Sequence, residues 1–339
     1  MTSKIGEFDL INRFFKTEFE PIKKMGGHRV ILGIGDDCAL LQNSPNEELA
    51  ITCDMLVEGR HFFAGANPEW FGHKALAVNL SDLAAMGAKP IGFTLAIALP
   101  NADPLWLEAF SKGLFALAKK FSCPLIGGDT TSGPLNICIT AFGSVPPQEA
   151  IRRSGALVHD DIWVSGTVGD ARLALGALRQ EWQLDEHDLV KVLPKLHRPQ
   201  PQVELGTHLR SIAHAALDVS DGLLGDLRHI LTASQMDASV FLNRLPLSLT
   251  LQKQSELIRT QCAATGGDDY EICFTAPIDK RHEIAALSKM LSISLTNIGS
   301  ITNASCHSPM PHIALIDGSG RELGKEATAE LLKSFDHFA

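Results

Sequence analysis

The chain has 339 residues, of which 45% are hydrophobic and 20% are charged, and its formal net charge is −9. This length predicts two domains, because single hydrophobic cores usually stop growing at about 250–300 residues. The composition is typical of a folded globular protein and excludes a disordered chain. The acidic charge argues against a general nucleic-acid binder, which would carry a basic face.

Membrane and disulfide classes are also disfavoured. No apolar stretch approaches the roughly 18 uncharged residues that span a bilayer, and residues 1–15 alternate charges with apolar side chains, unlike a signal peptide. The seven cysteines are odd in number and include no C-x-x-C pair, which argues against zinc ribbons and a complete disulfide framework. We therefore expect a cytoplasmic protein without a membrane partner.

In the first half of the chain, apolar strands alternate with amphipathic helices. Strands are expected at residues 29–34, 49–57, 91–99 and 136–145, and the last three are expected to be long and buried. One helix is predicted over residues 70–86, with Asn67-Pro68 at its start and Gly87 at its end. A second helix is predicted from Asp103-Pro104 to Lys119-Lys120, where the cations suit the helix C-terminus.

Pro146-Pro147 marks the expected domain boundary, because proline can neither continue a helix nor donate to a sheet. The N-terminal domain is therefore placed at residues 1–147 and the C-terminal domain at residues 148–339. Strands are predicted in the second half at residues 161–168, 238–242, 271–275 and 312–316. Helices are predicted there at residues 170–179, 201–215, 221–233 and 280–291. Both halves are of the α+β class, a mixed α/β architecture.

Acidic residues recur just after glycines or inside apolar runs. An aspartate there loses hydration that a cation or several hydrogen bonds must replace. The pattern predicts aspartates gathered around several hard metal ions, a common device for handling phosphates. The six places are Gly35-Asp36-Asp37, Cys53-Asp54, Ser81-Asp82, Gly128-Asp129, Asp218-Val219-Ser220-Asp221 and Gly267-Asp268-Asp269.

Each motif in the first half also has a structural alternative. The glycine-rich Gly33–Asp37 segment fits a tight turn, and neither it nor any other segment is a P-loop match. Asp54 can be a structural aspartate satisfied by hydrogen bonds. Asp82 lies near a helix C-terminus, where the helix dipole disfavours an anion. It is therefore either compensated by a nearby group such as a metal ion or simply exposed to solvent. Gly127-Gly128-Asp129 suits either an anion-binding nest or a hairpin turn.

The motif that starts at Asp218 is expected to open a helix. Ser220 or Asp221 is a natural N-cap, and a helix N-terminus also binds anions. The structural and the functional interpretation are therefore compatible at this motif.

Taken in order, these motifs resemble those of the bacterial thiamine-monophosphate kinases, and the resemblance covers essentially the whole chain. The most specific match is Asn79-Leu-Ser-Asp-Leu-Ala-Ala-Met-Gly-Ala88. The other matching segments are Gly6-Glu7-Phe8, Gly33-Ile-Gly-Asp-Asp-Cys-Ala-Leu40, Ile126-Gly-Gly-Asp-Thr130, Leu217-Asp-Val-Ser-Asp-Gly-Leu223, Gly266-Gly-Asp-Asp-Tyr-Glu271 and Phe335-Asp-His-Phe338.

The resemblance implies an activity and a fold. These kinases transfer the γ-phosphoryl group of ATP to thiamine monophosphate, giving thiamine diphosphate and ADP. The implied fold is the two-domain fold of the aminoimidazole ribonucleotide synthetase superfamily, in which N-terminal domains of a homodimer join into a barrel. The N-terminal domain would bind ATP and Mg²⁺ and form the dimer, and the C-terminal domain would complete the site.

The resemblance also implies site residues. Several Mg²⁺ ions would be held by Asp37, Thr52, Cys53, Asp54, Asp82, Asp129, Asp218 and Asp221. ATP would contact Gly128, Asp129, Arg153 and Ser220. Thiamine monophosphate would contact His61, Asp268 and Phe335. Asp36 and Asp269 are expected to be turn and capping residues.

Three positions depart from the family pattern. Cys53 stands where threonine is common, so a hydroxyl ligand is lost unless the backbone carbonyl binds. Asp268 replaces the usual glutamate and is shorter by one methylene group. Phe335 replaces tyrosine or tryptophan, which keeps a ring for stacking on the cationic substrate but removes a polar group.

Alternatives remain at the level of single residues and of function. Arg153 is either a phosphate clamp or a surface charge, and Phe335 is either a stacking or a packing residue. Another member of the superfamily would act on a different small molecule, although a selenophosphate synthetase would carry a reactive N-terminal cysteine, which residues 1–15 lack. A noncatalytic metal-binding or nucleotide-binding protein is the alternative from another class.

Overall fold

The computed structural model describes residues 7–16, 29–34, 38–42, 44–304 and 310–332. The chain divides into two compact units, one of Met1–Leu83 with Ala88–Gln148 and the other of Ala84–Gly87 with Glu149–Ala339. Both units combine helices and strands, so the α+β prediction is confirmed. The functional roles assigned to the two halves stay predictions.

The first unit is built on a four-stranded sheet. The strands of this unit are β1 (Val30–Leu32), β2 (Leu40–Leu41), β3 (Glu48–Val57), β4 (Lys89–Leu99), β5 (Leu125–Ser132) and β6 (Asn136–Val145). The last four form the four-stranded sheet. The helices of this unit are α1 (Glu7–Leu10), continued by a π-helical segment (Ile11–Phe15), then α2 (Pro68–Ala85) and α3 (Pro104–Lys120). β1 pairs with β2, and the larger sheet has the order β3-β6-β4-β5. β4 and β5 are parallel, whereas the other neighbours are antiparallel.

The two long helices begin and end where the sequence predicts. The side chain of Asn67 accepts a hydrogen bond from Trp70 N at 3.2 Å, and the Asp103 carboxylate accepts one from Leu105 N at 3.0 Å. Gly87 has a φ of 68°, the left-handed conformation that stops a helix at low cost. Local capping chemistry therefore accounts for where these helices begin and for where the first of them ends.

One face of the four-stranded sheet is buried and the other is open. Along β4, Phe93, Leu95 and Ile97 are buried, whereas Ala96 is exposed. α2 packs on the buried face, where a Cβ added to Gly143 of β6 would lie 3.0 Å from the Leu83 side chain. The open face carries exposed apolar side chains, a feature that usually marks an interaction surface.

The helices of the first unit are in backbone contact. A Cβ at Gly72 of α2 would lie 2.1 Å from Phe110 O, and a Cβ at Gly113 of α3 would lie 1.8 Å from Glu69 O. Only glycine fits at such a crossing. The close approach buries α2 on nearly every side between residues 71 and 85, so that polar groups on it need partners within the protein.

The second unit is built on a six-stranded sheet. Its strands are β7 (Asp161–Ser165), β8 (Ala215–Asp218), β9 (Asp237–Phe241), β10 (Ile272–Ala276), β11 (Leu295–Thr302) and β12 (Ile313–Ile316). Its helices are α4 (Asp170–Leu178), α5 (Glu186–His197), α6 (Val203–Leu209), α7 (Leu223–Ser234), α8 (Leu249–Gln252), α9 (Glu256–Thr265), α10 (Arg281–Leu291) and α11 (Lys325–Leu331). The sheet order is β12-β9-β11-β7-β10-β8, and only β12 and β9 are parallel.

One helix expected in this unit is shorter than predicted. The helix predicted over residues 201–215 spans only Val203–Leu209, and the last residue of the predicted range, Ala215, begins strand β8, all four residues of which are buried. A short apolar run cannot be assigned by periodicity alone, because buried strands and buried helical turns look alike. The correction matters because β8 leads directly into the Asp218 motif.

Candidate functional site

In the first unit, four of the predicted metal-binding positions lie on β3 and α2, and the side chains of three of them lie on the same side of the sheet. Thr52 Oγ1 donates a hydrogen bond to Asp82 Oδ2, which joins the strand to the helix. Asp54 N donates to Asn79 Oδ1 at 3.2 Å, and Asn79 Nδ2 donates to Ala75 O at 3.2 Å. The structure therefore brings Thr52, Asp54 and Asp82 to one side of the sheet.

Asn79 is a residue whose role the sequence analysis missed. It is completely buried and uses both ends of its amide, one for its own helix and one for the backbone of Asp54. The Asn79 side chain therefore links the backbone of Asp54 to the helix that carries Asp82. The sequence feature that could have indicated this role is a polar residue at the start of the largely apolar Asn79–Ala88 motif.

The Cys53 side chain lies on the opposite face of β3 from its two neighbours. Its sulfur is 3.4 Å from Cys138 Sγ and 3.4 Å from Thr140 Oγ1. Because side chains alternate along a strand, the Cys53 thiol cannot join Thr52 and Asp54. Any metal contact from Cys53 on that side would have to come from its backbone carbonyl.

Gly127-Gly128-Asp129 lies inside strand β5 and does not form the hairpin turn that the glycines also suggested. Gly128 has a φ of 146°, and a Cβ there would lie 1.9 Å from Leu95 O of the neighbouring strand. Glycine is thus required by the close approach of β4. Asp129 follows it and pairs with Ala96.

Asp54 and Asp129 do not converge within one unit. The register runs from Asp54 through Ile139 and Leu95 to Gly128, so Asp129 is three strands away, about 14 Å across the sheet. The two residues also project from different faces, since Asp54 shares its face with buried Leu95 and Asp129 with exposed Ala96.

A cavity of about 860 Å³ opens beside the Gly128-Asp129 segment. Its lining includes the rings of Phe15 and Phe142 as well as Ile34 and Thr94. Mainly apolar walls with a few polar groups are typical of small-molecule sites of this size. The cavity is large enough for a nucleotide-sized ligand.

His61 lies just after β3, where its Nδ1 accepts a hydrogen bond from Val57 N at 3.0 Å. This bond requires the neutral imidazole to carry its proton on Nε2. The ring is therefore held in one orientation, with an N–H donor on the nitrogen away from the backbone.

In the second unit, two predicted motifs lie side by side although about fifty residues separate them in the chain. Asp268 N donates to Ser220 O at 2.8 Å, Tyr270 N donates to Val219 O at 2.8 Å, and Val219 N donates to Glu271 O at 2.8 Å. Asp268 and Tyr270 both have positive φ values, 69° and 50°. The structure thus brings together Asp218, Ser220, Asp221 and Asp268.

The loop that carries these residues is supported by buried carboxylates. Glu271 accepts hydrogen bonds from Ser165 Oγ at 2.6 Å, Lys195 Nζ at 3.1 Å and Gln202 Nε2 at 3.0 Å. Asp269 is fully buried and accepts from Gly169 N at 2.8 Å, the residue that precedes α4, so it serves as a capping residue. Burial raises the pKa of Asp269 well above its usual range, partly opposed by the Gly169 hydrogen bond and the Lys195 charge.

The start of α7 corrects the capping prediction. The N-cap is Gly222, and no side chain caps it, so Ser220 and Asp221 are not N-caps. Instead Asp226 Oδ2, from the first turn of the helix, accepts hydrogen bonds from Ser220 N, Asp221 N and Gly222 N at 3.0, 3.0 and 3.1 Å. Burial raises the pKa of Asp226 to about 7, although these N–H groups favour its ionised form.

The Arg153 segment is attached to the other end of α7. Ser234 Oγ accepts hydrogen bonds from Gly155 N and Ala156 N, both at 3.1 Å, and donates to Arg153 O at 3.1 Å. His229 lies on an exposed part of α7, and charges from both loops act on its pKa. Burial lowers the pKa of His229, the Arg153 charge lowers it further, and the Asp221 charge raises it.

Two of the predicted site residues, Asp37 and Phe335, lie outside the described residues, as does Asp36. Within the described ranges, three carboxylate, thiol or imidazole ligand atoms come within 4.8 Å of one another only at Asp185, His187 and Asp188. Asp188 there is bound by Lys253 Nζ at 2.8 and 2.9 Å. That cluster is outside the predicted motifs. Over the same ranges, every helix is too short or too polar to cross a membrane.

The comparisons with known proteins match this architecture. Residues 35–145 match the N-terminal domain of the AIR synthase related proteins. A structure of AaThiL complexed with AMPPCP and TMP is 27% identical with a TM-score of 0.73, covering 98% of this chain and 97% of that one. The hydrogenase maturation protein HypE in complex with ATP is 19% identical with a TM-score of 0.75, over 95% of each chain, and this likeness concerns the fold alone.

Closer relatives are thiamine-monophosphate kinases. The crystal structure of the enzyme from Stenotrophomonas maltophilia K279a is 45% identical with a TM-score of 0.82, covering 91% of this chain and 96% of that one. The enzymes of Haemophilus influenzae and Escherichia coli K12 are 43% and 42% identical, each over 98% of both chains. With the two-domain fold and the ordered aspartate motifs, these similarities establish that the chain belongs to the thiamine-monophosphate kinase family.

Proposed function

We propose that the protein transfers the γ-phosphoryl group of ATP to thiamine monophosphate, giving thiamine diphosphate and ADP as the last step of thiamine diphosphate biosynthesis in the cytoplasm. The observation that carries the proposal is the similarity to named kinases over 98% of the chain. The related complex with AMPPCP and TMP adds a nucleotide analogue and a phosphate acceptor in one fold.

The acceptor in this reaction needs no general base. A phosphate monoester has its second pKa near 6 and is largely dianionic at neutral pH. The difficulty is repulsion between the acceptor phosphate and the triphosphate of ATP. The site must therefore bring two anions together and hold the attacking and leaving oxygens in line.

The residues of the first unit fit Mg²⁺. Thr52, Asp54 and Asp82 supply oxygen donors, which hard divalent cations prefer, and the Thr52–Asp82 hydrogen bond places two of those oxygens next to each other. We assign them to Mg²⁺, with Asp37, Asp129, Asp218, Asp221 and the backbone of Cys53. When bound to these residues, Mg²⁺ would neutralise phosphate charge and so lessen the repulsion between the two phosphate groups.

The nucleotide and the substrate are assigned to separate groups of residues. Gly128 and Asp129 border the 860 Å³ cavity and, with Arg153 and Ser220, are proposed for ATP. His61, Asp268 and Phe335 are proposed for thiamine monophosphate. In support, Asp268 is held by its own backbone bond to Ser220 and accepts from Tyr270 Oη at 3.2 Å, so its carboxylate has a fixed position beside the Ser220 loop.

The proposal includes a homodimer formed through the open face of the four-stranded sheet. Leu49, Ile51 and Met55 project from this face of β3 with 42%, 60% and 56% of their surface exposed. Three exposed apolar side chains on the same face of one strand are unfavourable in water. A second copy of the same face would cover them, as expected for a two-fold symmetric barrel.

A homodimer would also resolve the distance between Asp54 and Asp129. Because the two residues occupy opposite edges and faces of one sheet, one copy does not gather both at a single phosphate. We propose that Asp54 works with Asp129 of the partner subunit. Because Asp54 faces away from the open face, this contact would have to be made around the edge of the sheet, which β3 forms. Each site would then be composite, and a lone copy would hold two half-sites.

The kinase activity is tested with purified protein, ATP and Mg²⁺, using thiamine monophosphate and thiamine as parallel acceptors and chromatography to detect products. We expect thiamine diphosphate from the monophosphate and no product from thiamine. Asp54→Asn should lower the rate at least about a hundredfold, because it removes a metal-binding charge. Asp103→Asn, which keeps a good helix cap, is the matched control and should retain full activity. Near-normal activity of Asp54→Asn would contradict the metal assignment.

The dimer face is tested with Ile51→Lys, measured by light scattering after size-exclusion chromatography. The wild-type protein should have about twice the mass of the 36.6 kDa chain, and the variant should be monomeric because a buried lysine is costly. Leu105→Lys changes a residue that is 77% exposed away from the sheet and should remain dimeric. A dimeric Ile51→Lys protein would place the interface elsewhere.

Composite sites make a separate prediction. Asp54→Asn and Asp129→Asn should each be inactive alone, and a mixture unfolded and refolded together should regain about a quarter of the wild-type activity. The reason is that half of the randomly formed dimers are mixed and each of these has one intact site out of two. Refolding each variant separately before mixing is the control. A refolded mixture that stays inactive while dimers form would show that both aspartates act within one copy.

A further inference from the structure

The loop between β8 and α7 is bound to a single buried oxygen atom. Asp226 is 4% exposed, and its Oδ2 accepts the three consecutive backbone N–H groups of Ser220, Asp221 and Gly222. Consecutive N–H groups that point to one place form a concave anion site, of the kind that phosphates often occupy. Here a carboxylate of the protein itself occupies it.

The internal carboxylate has a geometric consequence for the loop. With its N–H groups turned toward Asp226, the loop uses a carbonyl, Ser220 O, to accept the Asp268 N–H on another side. Gly222 adopts a φ of 121°, and a Cβ there would lie 2.6 Å from Thr265 O. The three consecutive N–H groups and the Ser220 carbonyl are thus committed to contacts within the protein, which fixes the backbone of the loop.

We propose that Asp226 is a positioning residue, which holds the Asp218–Gly222 loop in the arrangement that serves Mg²⁺ and ATP. It touches neither ligand in this account and acts through the three backbone N–H groups. The inference rests on the proposed function for the role of that loop. It assigns to Asp226 a part in catalysis that burial alone would not reveal.

The same helix links this loop to the Arg153 segment. α7 has 12 residues and a length of about 18 Å, with Asp226 in its first turn and Ser234 as its last residue. Ser234 holds the backbone of residues 153–156 through three hydrogen bonds. Between the two ends, the charges of Arg153 and Asp221 both act on His229. α7 therefore serves as a rigid spacer between two segments proposed to contact ATP.

A purely structural role for Asp226 is the competing explanation. A buried carboxylate that satisfies three N–H groups also stabilises the fold, and its loss would lower stability whatever the loop does. The test must therefore report on the loop and on Mg²⁺ dependence separately from stability.

The first measurement is amide hydrogen exchange of residues 220–222 in the absence of ligands. In the wild-type protein these amides should be protected, and adding Mg²⁺ with AMPPCP should change them little because they are already bound. Asp226→Ala should accelerate their exchange at least about tenfold, because the acceptor is lost. Asp226→Asn, which keeps one oxygen, should lie between the two. Freely exchanging wild-type amides would overturn the inference without any variant.

The second measurement is the Mg²⁺ concentration that gives half-maximal phosphorylation of thiamine monophosphate. It should rise at least about tenfold in Asp226→Ala and be largely restored in Asp226→Asn. Asp237→Ala is the matched control, because Asp237 is also buried and accepts a backbone N–H, from His312 at 2.8 Å, but lies on β9, four strands from β8. Its loss should lower the melting temperature and leave the Mg²⁺ requirement unchanged.

The outcomes separate the two proposals. If Asp226→Ala lowers only the melting temperature, with wild-type exchange at residues 220–222 and wild-type Mg²⁺ dependence, Asp226 is structural and the inference fails. If the wild-type protein does not phosphorylate thiamine monophosphate, the proposed function fails, while hydrogen exchange still decides whether Asp226 holds the loop. If Asp226→Ala does not fold, protection in the wild-type protein and in Asp226→Asn decides it.

Discussion

The backbone hydrogen bonds between residues 218–222 and residues 267–271 are the constraint on which the site in the second unit depends. Asp268 N and Tyr270 N donate to carbonyls of the first segment, and Val219 N donates back. Sheet pairing of Asp218 with Ile272 continues the same contact into β8 and β10. These backbone bonds keep Asp218, Asp221 and Asp268 close together, although the like charges of their carboxylates repel one another.

Such a loop has a conformational cost that buried polar groups offset. Asp268 and Tyr270 adopt positive φ, which costs about 1 kcal/mol or more for a residue with a Cβ. The next residue, Glu271, accepts hydrogen bonds from Ser165, Lys195 and Gln202. Removing one partner of such a buried ion pair strongly destabilises the fold, because the other charge is left unpaired. The strained segment is thus adjacent to a buried hydrogen-bond network. A rigid loop is what phosphoryl transfer needs, because its rate depends on positioning and fixed charge.

The sequence predicted the elements that local chemistry determines. α3 was predicted from Asp103 to Lys120, and the observed helix has these ends because the cap and the terminal cations act within one turn. β6 was predicted with its observed ends, Asn136 and Val145, because its residues are largely aliphatic and β-branched, and the first eight of them alternate in burial. The family and the activity, and the superfamily fold, were implied by the resemblance of the ordered motifs to those of the thiamine-monophosphate kinases, and the comparisons agree with them.

What the sequence could not predict depends on contacts between distant residues. Glycines at positions 127 and 128 suggested a turn, whereas the close approach of β4 keeps them in a strand. Ser220 and Asp221 had the right residue types for an N-cap, but a carboxylate one helical turn later binds their N–H groups. The Asp54–Asp129 separation also requires the strand order, which no local pattern gives.

The central claim is that the site holds ATP and thiamine monophosphate together so that the acceptor phosphate attacks the γ-phosphorus directly. The most direct test uses ATP made chiral at the γ-phosphorus with oxygen isotopes and determines the configuration of the transferred group in thiamine diphosphate. A single in-line displacement predicts inversion. Retention, which requires two displacements through a phosphorylated protein, or the absence of labelled thiamine diphosphate, would contradict the account.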